Sequence, residues 1–290
     1  MFVNILKSIA WVAFYFIASF IGSIVALVGH LLIFGFDVPL NSDVDTLTNA
    51  IVELVFETAV PGLIIASIVC IIGFLIYKKL NKESLDIKKI EGDRALFCVG
   101  LGFVLNAAIT LVLGLLNSII PQSANDALES SLNIALNGNF FVLLLGTGIL
   151  VPIMEEIIFR YGVHKSIAKS NIIVGYIVSA LVFGVMHGNI IQGTYAAVLG
   201  FIFAIILQKT DNIWYSIIIH MAINSSSTVA MEAMNIMPEW VFMVLMSGIG
   251  LVIVVPMLFK KNIRDMFVGG NMVAVEEIPP TIAPHEEDML

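Results

Sequence analysis

Apolar residues run along this chain in long blocks, at about 9–36, 58–77, 95–120, 140–159, 172–187, 190–207, 213–231 and 240–259. Each block approaches or exceeds the ~20 residues that a helix needs to cross the hydrocarbon of a bilayer. The pattern predicts an all-α integral membrane protein with about eight transmembrane helices. Isolated polar residues inside the later blocks predict a polar intramembrane cavity. The first block is too long for a signal-peptide core and has no clear small-residue cleavage site, so it is expected to remain as a span. No internal repeat is visible, which counts against a carrier built from duplicated halves.

Between the blocks, 78–94 reads as a mixed-charge linker, 121–139 as a polar outer loop and 269–290 as a disordered acidic tail. The expected organisation is N-terminal helices and loops over 1–139, a catalytic core over 140–233, a last helix with its inner-face end over 234–268, and the tail.

Composition sharpens this picture. Of 290 residues, 59% are hydrophobic and 12% charged, and the mean hydropathy is +1.01, so too little polar surface is left to face water. Cys70 and Cys98 both sit in apolar blocks and offer neither a disulfide framework nor a metal-binding pair. The net charge of −8 owes much to Glu276, Glu277, Glu286, Glu287 and Asp288 in the tail. Basic residues are few and scattered, which excludes nucleic acid as a partner; the expected partners are the bilayer and a membrane-associated protein or peptide substrate.

Loop charges give an orientation. In an eight-span arrangement all 14 lysines and arginines fall on one face, and basic loops mark the cytoplasmic side. The opposite loops carry Asp37, Asp43, Asp45, Asp126, Glu129, Glu232 and Glu239. A multi-pass protein of the plasma membrane, with both termini cytoplasmic, is the expectation.

Against this apolar background stand Glu155, Glu156 and Arg160. A charge at the bilayer centre costs at least a few kcal/mol, so such residues face the protein interior and commonly act there. Glu156 and Arg160 are spaced i, i+4 and can pair on one helix face. Glu155 points about 100° away, which leaves it free for chemistry. Phe183 with His187, and His220 with Asn224, repeat the i, i+4 spacing on later helices. A carboxylate, two imidazoles and an amide in a dry cavity suit peptide hydrolysis: the carboxylate as general base, the imidazoles as water, metal or oxyanion partners, the amide as a neutral donor. The same residue types would also serve a proton or ion relay. His30, His164 and His285 read as bystanders, Glu53 and Glu57 as a solvated helix entrance, and Asn106 and Asn117 as interhelical donors.

Glu155-Glu156-x-x-x-Arg160, Phe183-x-x-x-His187 and His220-x-x-x-Asn224, in that order, resemble the three motifs of the CPBP family, the CAAX-processing and bacteriocin-processing intramembrane proteases. The resemblance covers about a third of the chain, 140–231, and is of the bacterial or archaeal type. It implies an endopeptidase with an all-helical core and a cavity open toward the cytoplasm. Glu155 and His187 would activate water while His220 and Asn224 stabilise the oxyanion, supported by Glu156, Arg160 and Phe183. In the family's metalloprotease description, Glu155, His187 and His220 would instead bind zinc, and the zinc and metal-free routes stand level. Peptide maturation or bacteriocin self-immunity would be the role. The rivals are a catalytically idle membrane scaffold or immunity protein and a small proton-coupled transporter. No His-Glu-x-x-His or Gly-x-Ser-Gly pattern points to other membrane proteases.

One geometric conflict arises. Counted at about 1.5 Å per residue from the inner boundary, His187 lies roughly 27 Å up its helix and His220 roughly 13 Å. The expected resolution is that 160–174 forms a helix along the inner face that dips into the membrane.

Overall fold

The structure, a computed structural model, describes residues 1–35, 38, 43–82, 88–128 and 139–268. The readings made for Asp37, Glu129, His285 and the acidic tail fall outside these residues. The main helices are α1 (Phe2–Ile33), α2 (Val44–Leu80), α3 (Gly92–Leu116), α4 (Phe140–Ala168), α5 (Ile172–Val185), α6 (Ile190–Thr210), α7 (Ile213–Ala233), α8 (Glu239–Met257) and α9 (Lys261–Val268). Most starts were written in the sequence as capping residues. Asp43, Asn139, Asn171, Asn189 and Asn212 each accept a backbone N–H from the first turn that follows, which supplies a partner for a donor with none inside the helix.

The all-α architecture is as expected, and the described residues contain no strand. The count of spans is refined. Six described helices, α1 to α4, α6 and α8, are long and apolar enough to cross a membrane. At 14 residues α5 is too short; α7 has 21 residues, but His220, Asn224 and the run Ser225 to Thr228 make it too polar to count among the six. The two exceptions are the helices that carry the second and third motifs.

Close helix contacts depend on missing side chains. A Cβ on Gly22 of α1 would lie 2.3 Å from the Gly62 carbonyl oxygen and 2.9 Å from the Ala66 nitrogen of α2. Both obstacles are backbone, so the helices themselves would have to part. Gly22→Ala is therefore expected to lower stability by about 1–3 kcal/mol, whereas Gly29→Ala, with nothing within 4 Å, should leave the melting temperature in detergent unchanged or slightly raised.

The basic segments gather at one end of the bundle. Lys88 and Lys165, the latter at 3.2 Å, both pair with Asp211 between α6 and α7. Lys260 bonds Asp93 at 2.9 Å, and Asn4 of α1 donates to Ser170 at 2.9 Å. At the other end His30, read as a bystander, meets Glu57 at 3.2 Å, and the half-exposed Glu57 side chain agrees with the solvated helix entrance expected there. For Asp211, burial alone would raise the carboxyl pKa, but the Lys88 hydrogen bond and the Lys165 charge overcome it and hold it below the usual value of 3.8. A lowered folded pKa stabilises above the unfolded value, and that contribution fades as pH falls through the folded one. Because the side chain is 54% exposed, the contribution is discounted to less than about 1 kcal/mol. Melting curves of the wild type and Asp211→Asn should differ slightly at neutral pH and converge below pH 3.8.

The expected surface helix over 160–174 does not form. α4 runs on to Ala168, and α5 begins at Ile172 after three intervening residues. Arg160 and His164 are fully buried. Gly162 lies directly under Trp11, whose Cγ would be 2.4 Å from an added Cβ, and His164 approaches Gln208 at 3.3 Å and stacks on Tyr176. This segment is packed on several sides and has no face to offer an interface. His164, read as a bystander, is a core residue.

Candidate active site

The site begins with an irregularity in α4. Leu144–Leu150 and Glu156–His164 are π-helical, with α-helical Val151–Glu155 between them. Pro152 accounts for the first: it has no N–H to give the carbonyl four residues back, that of Gly148. The Val151 N–H in turn reaches back five residues, to Gly146. The carbonyls of Thr147 and Gly148 thus lose their ordinary partners. α7 supplies replacements, because Asn224 Nδ2 donates to the Thr147 oxygen and Ser225 Oγ to the Gly148 oxygen, both at 3.1 Å. These bonds lock α7 onto α4 about two turns before Glu155. Farther along, Ser179 of α5 donates to the Phe159 carbonyl at 2.8 Å.

Glu155 and Glu156 diverge as their helical offset requires. Glu156 is wholly buried, with its Oε2 3.2 Å from Arg160 Nε, an ion-pair distance without hydrogen-bond alignment. Glu155 is 9% exposed and lines a cavity. His220 joins the two: its Nδ1 lies 3.1 Å from Glu156 Oε1 and its Nε2 3.5 Å from Glu155 Oε2. The sequence reading paired Glu156 with Arg160 but did not give Glu156 this second partner.

Phe183 is the hub behind these groups. The Arg160 guanidinium stands 4.3 Å from its ring centre, and the imidazoles of His187 and His220 meet the same ring edge-on at 4.8 and 5.7 Å. Both histidines thus flank one aromatic ring despite their different heights along the chain. His187 Nδ1 is 2.9 Å from its own helix's Phe183 carbonyl. That carbonyl can only accept, so Nδ1 carries the proton and Nε2 is left with its lone pair. Phe203 of α6, which no motif singled out, covers Arg160 at 5.3 Å and His220 at 5.2 Å.

A cavity of about 660 Å³ holds Glu155, His187 and Asn224 at its inner part and reaches Phe140, Glu232 and Asn235. Those last three lie where α4 begins and α7 ends, opposite the end that gathers Lys88, Lys165 and Lys260. A cavity open toward the cytoplasm and a cytoplasmic basic end were both expected. With this geometry the two exclude each other, since the cavity runs toward the acidic end.

Structural and catalytic zinc needs three or four protein ligands held together. Among the described residues no group of three histidine, cysteine, aspartate or glutamate side chains is gathered to hold an ion. The His220 Nδ1 is taken by Glu156, and the His187 Nδ1 by the Phe183 carbonyl. As arranged, Glu155, His187 and His220 do not form a three-ligand set among the described residues.

Comparison with known proteins bears on the same region. Residues 137–226 match the family described as Type II CAAX prenyl endopeptidase Rce1-like, a span that contains all three motifs. A protein of Bacillus subtilis (strain 168) named "Putative membrane peptidase YdiL" is 29% identical over 85 residues, covering 29% of this chain and 35% of the relative. The match thus spans about a third of that relative's length. No solved structure gives a significant match. The motifs, their convergence and the matched segment agree: residues 137–226 of this membrane protein are similar to the Rce1-like CAAX protease group, the CPBP family.

Proposed function

We propose that the chain is an intramembrane endopeptidase that hydrolyses peptide bonds of a membrane-associated protein or peptide, in peptide maturation or self-immunity. The observation that carries the proposal is Glu155: a carboxylate at the inner end of a polar cavity, backed by His220 and spared from pairing with Arg160 because Glu156 takes that role.

Charge counting assigns the protons. Two carboxylates and one guanidinium leave the buried group one negative charge, and a protonated His220 brings it to neutrality, as burial demands. That imidazolium donates Nδ1–H to Glu156 and turns Nε2–H toward the cavity side. Glu155 takes a proton from water, with the lone pair of His187 Nε2 helping to hold the molecule. The water oxygen attacks the peptide carbonyl carbon, and the oxyanion is met by His220 Nε2–H and by the second N–H of Asn224, whose first is spent on Thr147. Collapse expels the amine, which leaves with the proton stored on Glu155.

The test is the purified chain in proteoliposomes with a set of reporter peptides, each anchored by one apolar helix, analysed by mass spectrometry for new termini. Cleavage that persists in chelator, by protein with far less than one zinc per chain, is the expected result. Zinc near one per chain with chelator-sensitive cleavage would replace the metal-free route. Folded protein that cuts no reporter would sink the hydrolase reading.

A further inference from the structure

We infer that the cavity selects a cationic peptide segment and that Glu232, at its outer end, is the specificity-determining residue. The inference rests on the hydrolytic reading above and adds the substrate's charge and register. Of the two acidic side chains in the lining, Glu155 at the inner end is balanced by His220 beside it, whereas Glu232 at the outer end has no lysine or arginine beside it in the described lining. The other hydrogen-bonding groups, among them Gln192, Ser227 and Thr228, are neutral. A low-dielectric cleft lined by one sign of charge focuses its field and draws in the opposite sign. Lysine or arginine is therefore favoured and a carboxylate repelled. A free chain terminus whose carboxylate passed the outer end would meet Glu232, with no lysine or arginine in the described lining to receive it. An internal basic segment fits better.

The register follows from α7. Glu232 stands twelve residues beyond His220 on one helix, a rise of about 18 Å. An extended peptide covers that distance in about five residues at ~3.3 Å each. A lysine or arginine about five positions from the scissile bond would reach the Glu232 carboxylate while the bond lies at Glu155 and His220. Glu232 is exposed and shares its end of the bundle with Glu239 at the start of α8, so the segment is presented at the acidic face and not at the face of Lys88 and Lys165.

The experiment uses the full chain in phosphatidylcholine nanodiscs, whose neutral lipid does not itself attract the probes. Three fluorescent peptides, identical except for Lys, Gln or Glu five positions from a central bond, are titrated and read by anisotropy at low ionic strength. The lysine peptide is expected to bind about tenfold more tightly than the glutamate peptide, with the difference shrinking as salt screens it. Glu232→Gln should reduce the preference and Glu232→Lys should invert it. Equal affinities for the three peptides, or a preference that Glu232→Lys leaves unchanged, would overturn the inference. Binding is read apart from cleavage, so charge-selective binding without any cut would refute the hydrolytic reading alone, and indifferent binding with cleavage would refute this inference alone.

Discussion

Arg160→Met is expected to destabilise the protein by about 3–5 kcal/mol, because removing one partner of a buried ion pair strands the other. Arg160 and Glu156 are both without solvent exposure, so the Glu156 carboxylate would keep only the His220 Nδ1–H at 3.1 Å. The guanidinium also spends its terminal nitrogens on no protein acceptor. Its planar faces do the binding instead, against Phe183 at 4.3 Å and Phe203 at 5.3 Å, an arrangement worth about 2 kcal/mol when desolvated. Arg160→Lys should consequently recover only part of the loss, since an ammonium cannot lie flat between two rings. The double substitution Arg160→Met with Glu156→Gln removes the stranded charge and should be more stable than Arg160→Met alone. Denaturant titration of purified protein in detergent measures all four. A loss below about 1 kcal/mol for Arg160→Met would mean that Glu156 is not held as an ion.

The sequence disclosed what depends on local spacing. Apolar block length marked the helices, and the i, i+4 rule found the Glu156–Arg160 pair and the divergence of Glu155. What it missed depends on contacts between distant residues. The His220 bridge between Glu155 and Glu156 spans more than sixty positions of chain and has no local pattern. Phe203 is one apolar residue among many in α6, and only the fold reveals that it covers Arg160. The π-helical turns lay between these extremes. Pro152 four residues after Gly148, and Ser225 beside Asn224, were visible signals for carbonyls that need partners from another helix. The surface helix expected over 160–174 failed because heights were counted along straight, upright helices. The actual chain keeps Arg160 and His164 of α4 buried and brings His187 and His220 against the same Phe183 ring.

The same bridge makes Glu155→Gln the sharpest probe of chemistry. Glutamine keeps the size and the cavity wall but cannot take a proton from water, and loss of a general base commonly costs about 10²–10⁴ in rate. Cleavage of the anchored reporters is expected to fall by that factor in kcat, with KM little changed, because the peptide is gripped farther along the cavity. Stability should hardly move: Glu155 borders the cavity and meets His220 only at 3.5 Å. Glu156→Gln separates the roles. It leaves Arg160 buried without its counter-ion and Nδ1 of His220 with a weaker acceptor, so it should lower the melting temperature as well as the rate. A Glu155→Gln variant that still cut at the wild-type rate would remove Glu155 as the base. One that lost stability as severely as Arg160→Met would show it to be part of the buried ion cluster and not a residue kept free for water.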